Sequence, residues 1–397
     1  MKIVVPASVL ACVALVLIPA LPAAAVVDTQ SWTSSNNQWW TTPGAWSSGE
    51  APEAGDTLVF GASGSALSTK NASIALTGIQ FTASHEVANG GGVLGLGAGG
   101  LTTAPGTVVS VNSDISTTGA QTWSIGAGST ATFPGVILTD GTALTLDVEG
   151  TMNIAGNVDA LGTGSVVKTG AGTIVRSGGA GGGIGNGGLS VQEGTFFLNA
   201  ASIDGTAFAV AGGALTGVGT ANSINLASGM IRPGAVDGTG VGHLTATGAS
   251  TWSGGTYSAT LNGSASDLFE VYAQPLSVSG TALDLVVETV PAVGTDFVIV
   301  DADAGITGQF TSEGAALADG VEFASNGYRY RISYPEAEAV VVTYLGPVPV
   351  PVIPPAPVPT PQLAATGAVV DGMLGASAAM LLLTGAVLLI GRRRRTA

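Results

Sequence analysis

From about Leu58 to Tyr344 the sequence repeats one theme: three to seven apolar or threonine-rich residues, then Gly, Ser, Asn or Asp. Ile74 to Phe81, Val108 to Val111, Ala143 to Val148, Gly172 to Val175, Thr195 to Leu198, Leu283 to Val287 and Phe297 to Val300 are examples. Short β-favouring runs bounded by turn residues are strands and turns, and no segment of the region carries a helical period of useful length. The region is therefore all-β, as a sandwich or a solenoid. Glycine, 61 of 397 residues, supplies the positive φ angles that so many turns demand. Only 9 % of residues are charged, and no Gly-X-Y period runs through the chain, so both disorder and collagen are excluded.

Charge narrows the partners. Between Val26 and Thr366 the basic residues are Lys70, Lys168, Arg176, Arg232, Arg329 and Arg331, set against every acid of the chain except Asp371. Such a field repels a phosphate backbone, so no nucleic-acid partner is expected. The sole cysteine, Cys12, sits in the N-terminal apolar run, which leaves no disulfide, cysteine-ligated metal or cysteine nucleophile downstream. Val9-Leu10-Ala11-Cys12 also reads as a lipoprotein site, but the apolar run continues past it.

Both ends read as addresses. Lys2, the apolar Val4 to Ile18 and the small-residue Ala23-Ala24-Ala25 compose a secretory signal peptide over 1–25, with cleavage after Ala25. Met373 to Ile390 is an apolar segment of 18 residues, about 27 Å as a helix and long enough to cross a bilayer core. Arg392 to Arg395 follow and would hold the C-terminus in the cytoplasm. Just upstream stands Leu363-Ala364-Ala365-Thr366-Gly367. The pentapeptide, apolar segment and basic tail, in that order, resemble a sortase cell-wall sorting signal of the LPXTG type, with Ala364 where the commoner motif has proline. The resemblance implies that a sortase cysteine attacks the Thr366 carbonyl, releases Gly367 onward and passes the acyl group to an amine of peptidoglycan. The implied location is secreted and cell-wall-anchored, with a transient stay in the membrane through 373–390. Residues 346–362 are a proline-rich tract that, as polyproline II, makes a stiff spacer roughly 50 Å long.

One passage turns the strand pattern toward a solenoid. Ser165-Val-Val-Lys168-Thr-Gly170-Ala-Gly172-Thr-Ile, then Gly188-Leu-Ser-Val-Gln-Glu193-Gly194-Thr-Phe-Phe-Leu198, resembles the autotransporter-associated β-strand repeat. Leu215-Thr-Gly217-Val-Gly219-Thr220, Ile231-Arg-Pro233-Gly234 and Gly242-His-Leu244 resemble the series that often follows it in passenger β-helices. Arg176 departs from the repeat, standing near where the family has an apolar residue. The resemblance implies an all-β, right-handed parallel β-helix (solenoid) with a β-rich C-terminal cap, flanked by the signal peptide and the C-terminal transmembrane helix. The expected organisation is 1–25 signal, 26–57 Trp-rich N-terminal cap, 58–251 β-helix repeats, 252–345 C-terminal cap or sandwich, 346–362 linker and 363–397 sorting signal.

Trp32, Trp39, Trp40 and Trp46 cluster within 15 residues. They read as cover for an exposed terminal coil, or as a glycan contact whose indole faces stack on sugar rings. The constellations that would carry chemistry are sparse. His85 and His243 are the only histidines, and no Gly-x-Ser-x-Gly elbow accompanies them. Gly95-x-Gly97-x-x-Gly100 has dinucleotide spacing without the helix that would follow it, and reads as a turn. The pairs Asp147/Glu149, Asp301/Asp303 and Glu336/Glu338 read first as solvated outward faces, then as the start of a Ca²⁺ site or a glycosidase pair. No catalytic residue, metal or cofactor is assigned. The expected function is a structural or adhesive, non-catalytic surface protein whose partners are a sortase, peptidoglycan and a glycan or surface ligand. The alternative is a surface carbohydrate-binding or polysaccharide-degrading β-helix protein.

Overall fold

The computed structural model describes residues 28–138, 141–155, 158–160, 164–177, 187–234 and 240–350. The segment expected to be a signal peptide, with Ala25, most of the expected proline-rich linker, the Leu363 to Gly367 motif and the 373–390 segment lie outside them. Among the described residues no helix is long and apolar enough to cross a membrane.

The described chain is all-β, with two single-turn 3₁₀ segments at Pro43–Ala45 and Pro335–Ala337. Its strands stack in parallel on three faces, making a β-solenoid. On the first face Gln30, Leu58, Ile79, Leu101, Trp123, Leu146, Lys168, Val191 and Val210 follow one another in register. A second ladder runs Val109, Ala131, Met152, Ile174, Phe196. The third runs Ile74, Leu94, Ile115, Val136, Val158. Because side chains alternate along each strand, every second residue enters the core, and in-register stacking places like beneath like. Phe60 and Phe81 stack with ring centroids 5.2 Å apart, one coil above the other.

The strands expected at Ile74–Phe81, Val108–Val111 and Ala143–Val148 are present with those bounds. The glycine run Gly95 to Gly100 differs from expectation. It lies within one strand, Leu94–Thr103, which turns a corner between two faces with Gly100 at φ +59°. No helix follows, and a Cβ at Gly100 would stand 1.9 Å from the Thr122 carbonyl oxygen of the next coil. The glycine is there for close coil-to-coil approach.

Parallel stacking continues into the region left open between cap and sandwich. Phe269 pairs with Val300, Leu276 with Ile306 and Ala282 with Thr311, all parallel. Pairing then changes sense: Ala339–Pro347 runs antiparallel to Asp296–Ala302 and to Tyr328–Ser333, which in turn pairs with Glu322–Ser325. This antiparallel group closes the solenoid.

Candidate functional site

At the N-terminal end the chain folds back over the first coil. Trp32 and Trp46 form an antiparallel bridge, and Trp39 bridges Thr69 in parallel. Trp32, Trp40 and Trp46 are buried, packed against Phe60 with centroids 5.7 to 6.3 Å away. Their indole N–H groups donate to Ser65 Oγ at 3.3 Å, Ser68 Oγ at 3.0 Å and the Trp40 carbonyl at 2.9 Å respectively. Asp56 ties the start of the segment down, accepting from the Asp28 and Glu53 backbone N–H groups and from Gln30 Nε2. A glycan contact through Trp32, Trp40 and Trp46 is therefore corrected: their faces are occupied by the cap's own core. Trp39 alone of the four presents its ring, 61 % exposed. Adjacent residues of an extended chain point to opposite sides, so Trp40 goes in and Trp39 out.

Under this cap the structure brings together a serine and a histidine. Ser68 Oγ and His85 Nε2 are 2.9 Å apart, both buried. His85 also lies 4.4 Å from the Phe60 centroid and 6.2 Å from that of Phe81. Among the described residues Nδ1 has no hydrogen-bond partner, so no acid joins the pair as a triad would require. Burial pushes the imidazole pKa down from 6.5 to about 4, the Ser65 backbone offsetting part of the effect. The other histidine, His243, is on the surface with Nε2 2.9 Å from Glu270 Oε2. Thr245 Oγ1 approaches that same nitrogen at 3.4 Å, so the ring does not relay a proton between the two.

Sequence reasoning missed the cations in the core. Lys168 occupies a rung between Leu146 and Val191, and Arg176 one between Ile154 and Leu198; both face inward and are fully buried. The Lys168 ammonium donates to the carbonyls of Thr169 at 2.8 Å and Gly170 at 2.6 Å, and to that of Glu193 in the next coil at 3.2 Å. Glu193 Oε2 accepts from the Gly170 N–H in return. Lys70 repeats the device, bonding the carbonyls of Ala72 in its own turn and of Gly91 and Gly92 one coil on. Burial pulls both lysines below their ordinary value, Lys168 to about 8 despite nearby Glu149, Asp147 and Glu193, and Lys70 despite Asp114. These are staples between coils. The available signal was alternation: Val166 and Lys168, like Ile174 and Arg176, are two apart on one strand.

Toward the other end, Asp267 is a buried carboxylate whose two oxygens accept from the Gly242 and Thr260 N–H groups, each at 2.7 Å. Desolvation outweighs these bonds and nearby Arg232, raising its pKa to about 6. Glu270 and Asp301 are register partners, and Asp303 Oδ2 accepts from the Ala273 N–H. Desolvation first, then Asp303 and Glu270, raises the Asp301 pKa. Among the described residues no group of three or more His, Cys, Asp or Glu side chains converges in a way that could hold a metal ion. No protein-family model matches the chain, and no curated protein matches it.

Proposed function

We propose that the chain is a secreted, cell-wall-anchored surface protein whose solenoid serves a structural or adhesive role without catalysis. The coils are right-handed on this reading, the sense that twisted parallel strands favour in their crossovers. The observation that carries the proposal is a stack of parallel coils, covered by aromatic residues at one end and an antiparallel sheet at the other, in a chain whose sequence continues with a proline-rich tract and a segment that resembles a sorting signal. Parallel stacking supports length at little cost in sequence complexity, since each coil needs only its neighbours. The buried staples strengthen such a spacer and perform no chemistry.

The anchoring step is transpeptidation. The sortase thiolate attacks the Thr366 carbonyl carbon, the bond to the Gly367 nitrogen breaks with a proton transferred to that amine, and a peptidoglycan amine displaces the thiolate. Muramidase digestion of cell walls followed by mass spectrometry is expected to recover Thr366 in amide linkage to a wall peptide. Recovery of mature protein still carrying intact Gly367 to Ala397 overturns the anchoring.

The second reading, a carbohydrate-binding surface, is favoured by Trp39, a single exposed indole beside the hydrogen-bonding pairs Thr69–Asn37 and Asn71–Thr41. Its loss in Trp39→Ala is expected to cut any binding on a glycan array by roughly 10-fold, the share of one stacked ring at about 1–2 kcal/mol. Binding unchanged in that variant places the contact elsewhere.

A further inference from the structure

Trp40 Nε1–H donates to Ser68 Oγ, and Ser68 Oγ in turn shares a hydrogen bond with His85 Nε2, so one hydroxyl links the imidazole to the cap. Protonating the ring puts a positive charge at this point. The new charge would sit 3 % exposed, among Trp32, Phe60 and Phe81. Buried charge without a counter-charge is among the costliest arrangements a fold can hold.

We propose that His85 is an acid-responsive latch on the N-terminal cap: its protonation releases residues 28–56 from the first coils and bares the aromatic cluster and the strand Thr57–Phe60.

The surroundings leave the charge uncompensated. What faces the imidazole from the cap segment and from the strands Thr57–Phe60, Leu67–Lys70 and Ile74–Phe81 is Trp32, Phe60, Phe81, the Ser68 hydroxyl and the Ser65 backbone, and among the described residues no carboxylate or cation acts on it. Lys70, on the Ser68 strand, is held by carbonyls and acts with Asp114. Glu86, next to His85, is exposed and accepts from Asn112, and across the parallel pairing His85 meets Val109. The Asp56 carboxylate is occupied by Asp28, Gln30 and Glu53.

The sign follows from linkage. A released cap exposes His85, whose pKa returns from about 4 to its ordinary 6.5, so proton uptake between those values favours release. Cap stability is complete above about pH 6.5 and declines as pH falls toward 4. Asp267, raised to about 6, responds in the opposite sense: its protonation favours the folded state, so acid does not loosen that end by the same means.

The test is hydrogen exchange on the full-length chain in mild detergent, with intrinsic rates corrected for pH. Amides of residues 28–60 are expected to lose ~10- to ~100-fold of their protection between pH 7 and pH 4.5, within the limit set by the pKa difference, while those of 243–302 hold theirs. His85→Gln, which does not titrate, is expected to make cap protection independent of pH. Cap protection that survives to pH 4.5 in the unaltered chain, or falls equally in His85→Gln, overturns the proposal. The unaltered chain supplies a second readout, since it has only two histidines: deuterium uptake at the imidazole C2 position, followed by mass spectrometry. A His85 transition more than one pH unit from cap release also overturns it, with exposed His243 as the reference.

Discussion

Gly100→Ala is expected to destabilise the solenoid by more than ~3 kcal/mol, or to prevent folding. Two costs combine. At φ +59° an alanine pays roughly 1–2 kcal/mol for the left-handed conformation alone. Its Cβ would also stand 1.9 Å from the Thr122 carbonyl oxygen and 3.0 Å from the carbonyl carbon. That neighbour is backbone of the adjacent coil, not the end of a flexible side chain, so relief means separating two rungs. Gly106→Ala is the matched control, with φ +73° and nothing within 4 Å of its Cβ. Urea unfolding of the two variants separates conformational strain, expected alone in Gly106→Ala at about 1–2 kcal/mol, from coil-to-coil contact. Equal losses would mean that close approach of the coils at Gly100 contributes nothing.

The second large effect is expected at Lys168. Lys168→Met keeps an unbranched stem of similar bulk and ends one atom short of the Nζ position, so the packing of the stem stays nearly constant. What changes is that the carbonyls of Thr169, Gly170 and Glu193 lose a charged donor. Desolvation of the ammonium is relieved at the same time, which is the competing gain. Three charge-assisted bonds outweigh it, because each orphaned buried acceptor costs about 1–3 kcal/mol, and the expected net loss is about 2–4 kcal/mol in urea midpoint measurements. An unchanged or raised midpoint would show that the lysine is tolerated in the core rather than stapling it. Alkaline pH gives an independent check. The depressed pKa means that the folded state gives up the proton first, so between about pH 8 and 10.5 this group adds stability as pH rises, and the methionine variant lacks that increment.

How much of this was legible in the chain depended on which physical signal each residue carries. Ile74–Phe81 and Ala143–Val148 are bounded by turn formers, and Ala143–Val148 alternates cleanly while Ile74–Phe81 breaks its alternation at Gly78, where the register shifts, so both strands are readable from their β-favouring residues. The parallel stacking rested on the resemblance of the Lys168 to Leu198 passage, because alternation alone is equally served by a sandwich. Three ladders could not be read from composition, since register is a contact between residues 22 or 23 apart, as Leu101, Trp123 and Leu146 illustrate. Trp39 and Trp40 were readable as a pair on opposite sides, yet clustering invited treating all four indoles alike. Lys70, Lys168 and Arg176 were hidden by hydropathy, which assigns every cation to the outside. Only the geometry of the turns reveals carbonyl groups pointing inward to receive them. Ser68 and His85 are 17 residues apart, and their meeting depends on the same inter-coil register.

The parallel ladders also fix how the molecule would respond to pulling. Strands lie across the stacking direction while their inter-coil hydrogen bonds run along it. Tension along the stack therefore loads those bonds one rung at a time, as in a zipper, rather than shearing a whole sheet at once. Each rung surrendered would pay out a coil of 22 or 23 residues, about 75 Å of extended chain. Lysines that span two rungs, at 70 and 168, would then be the points where the unwinding pauses.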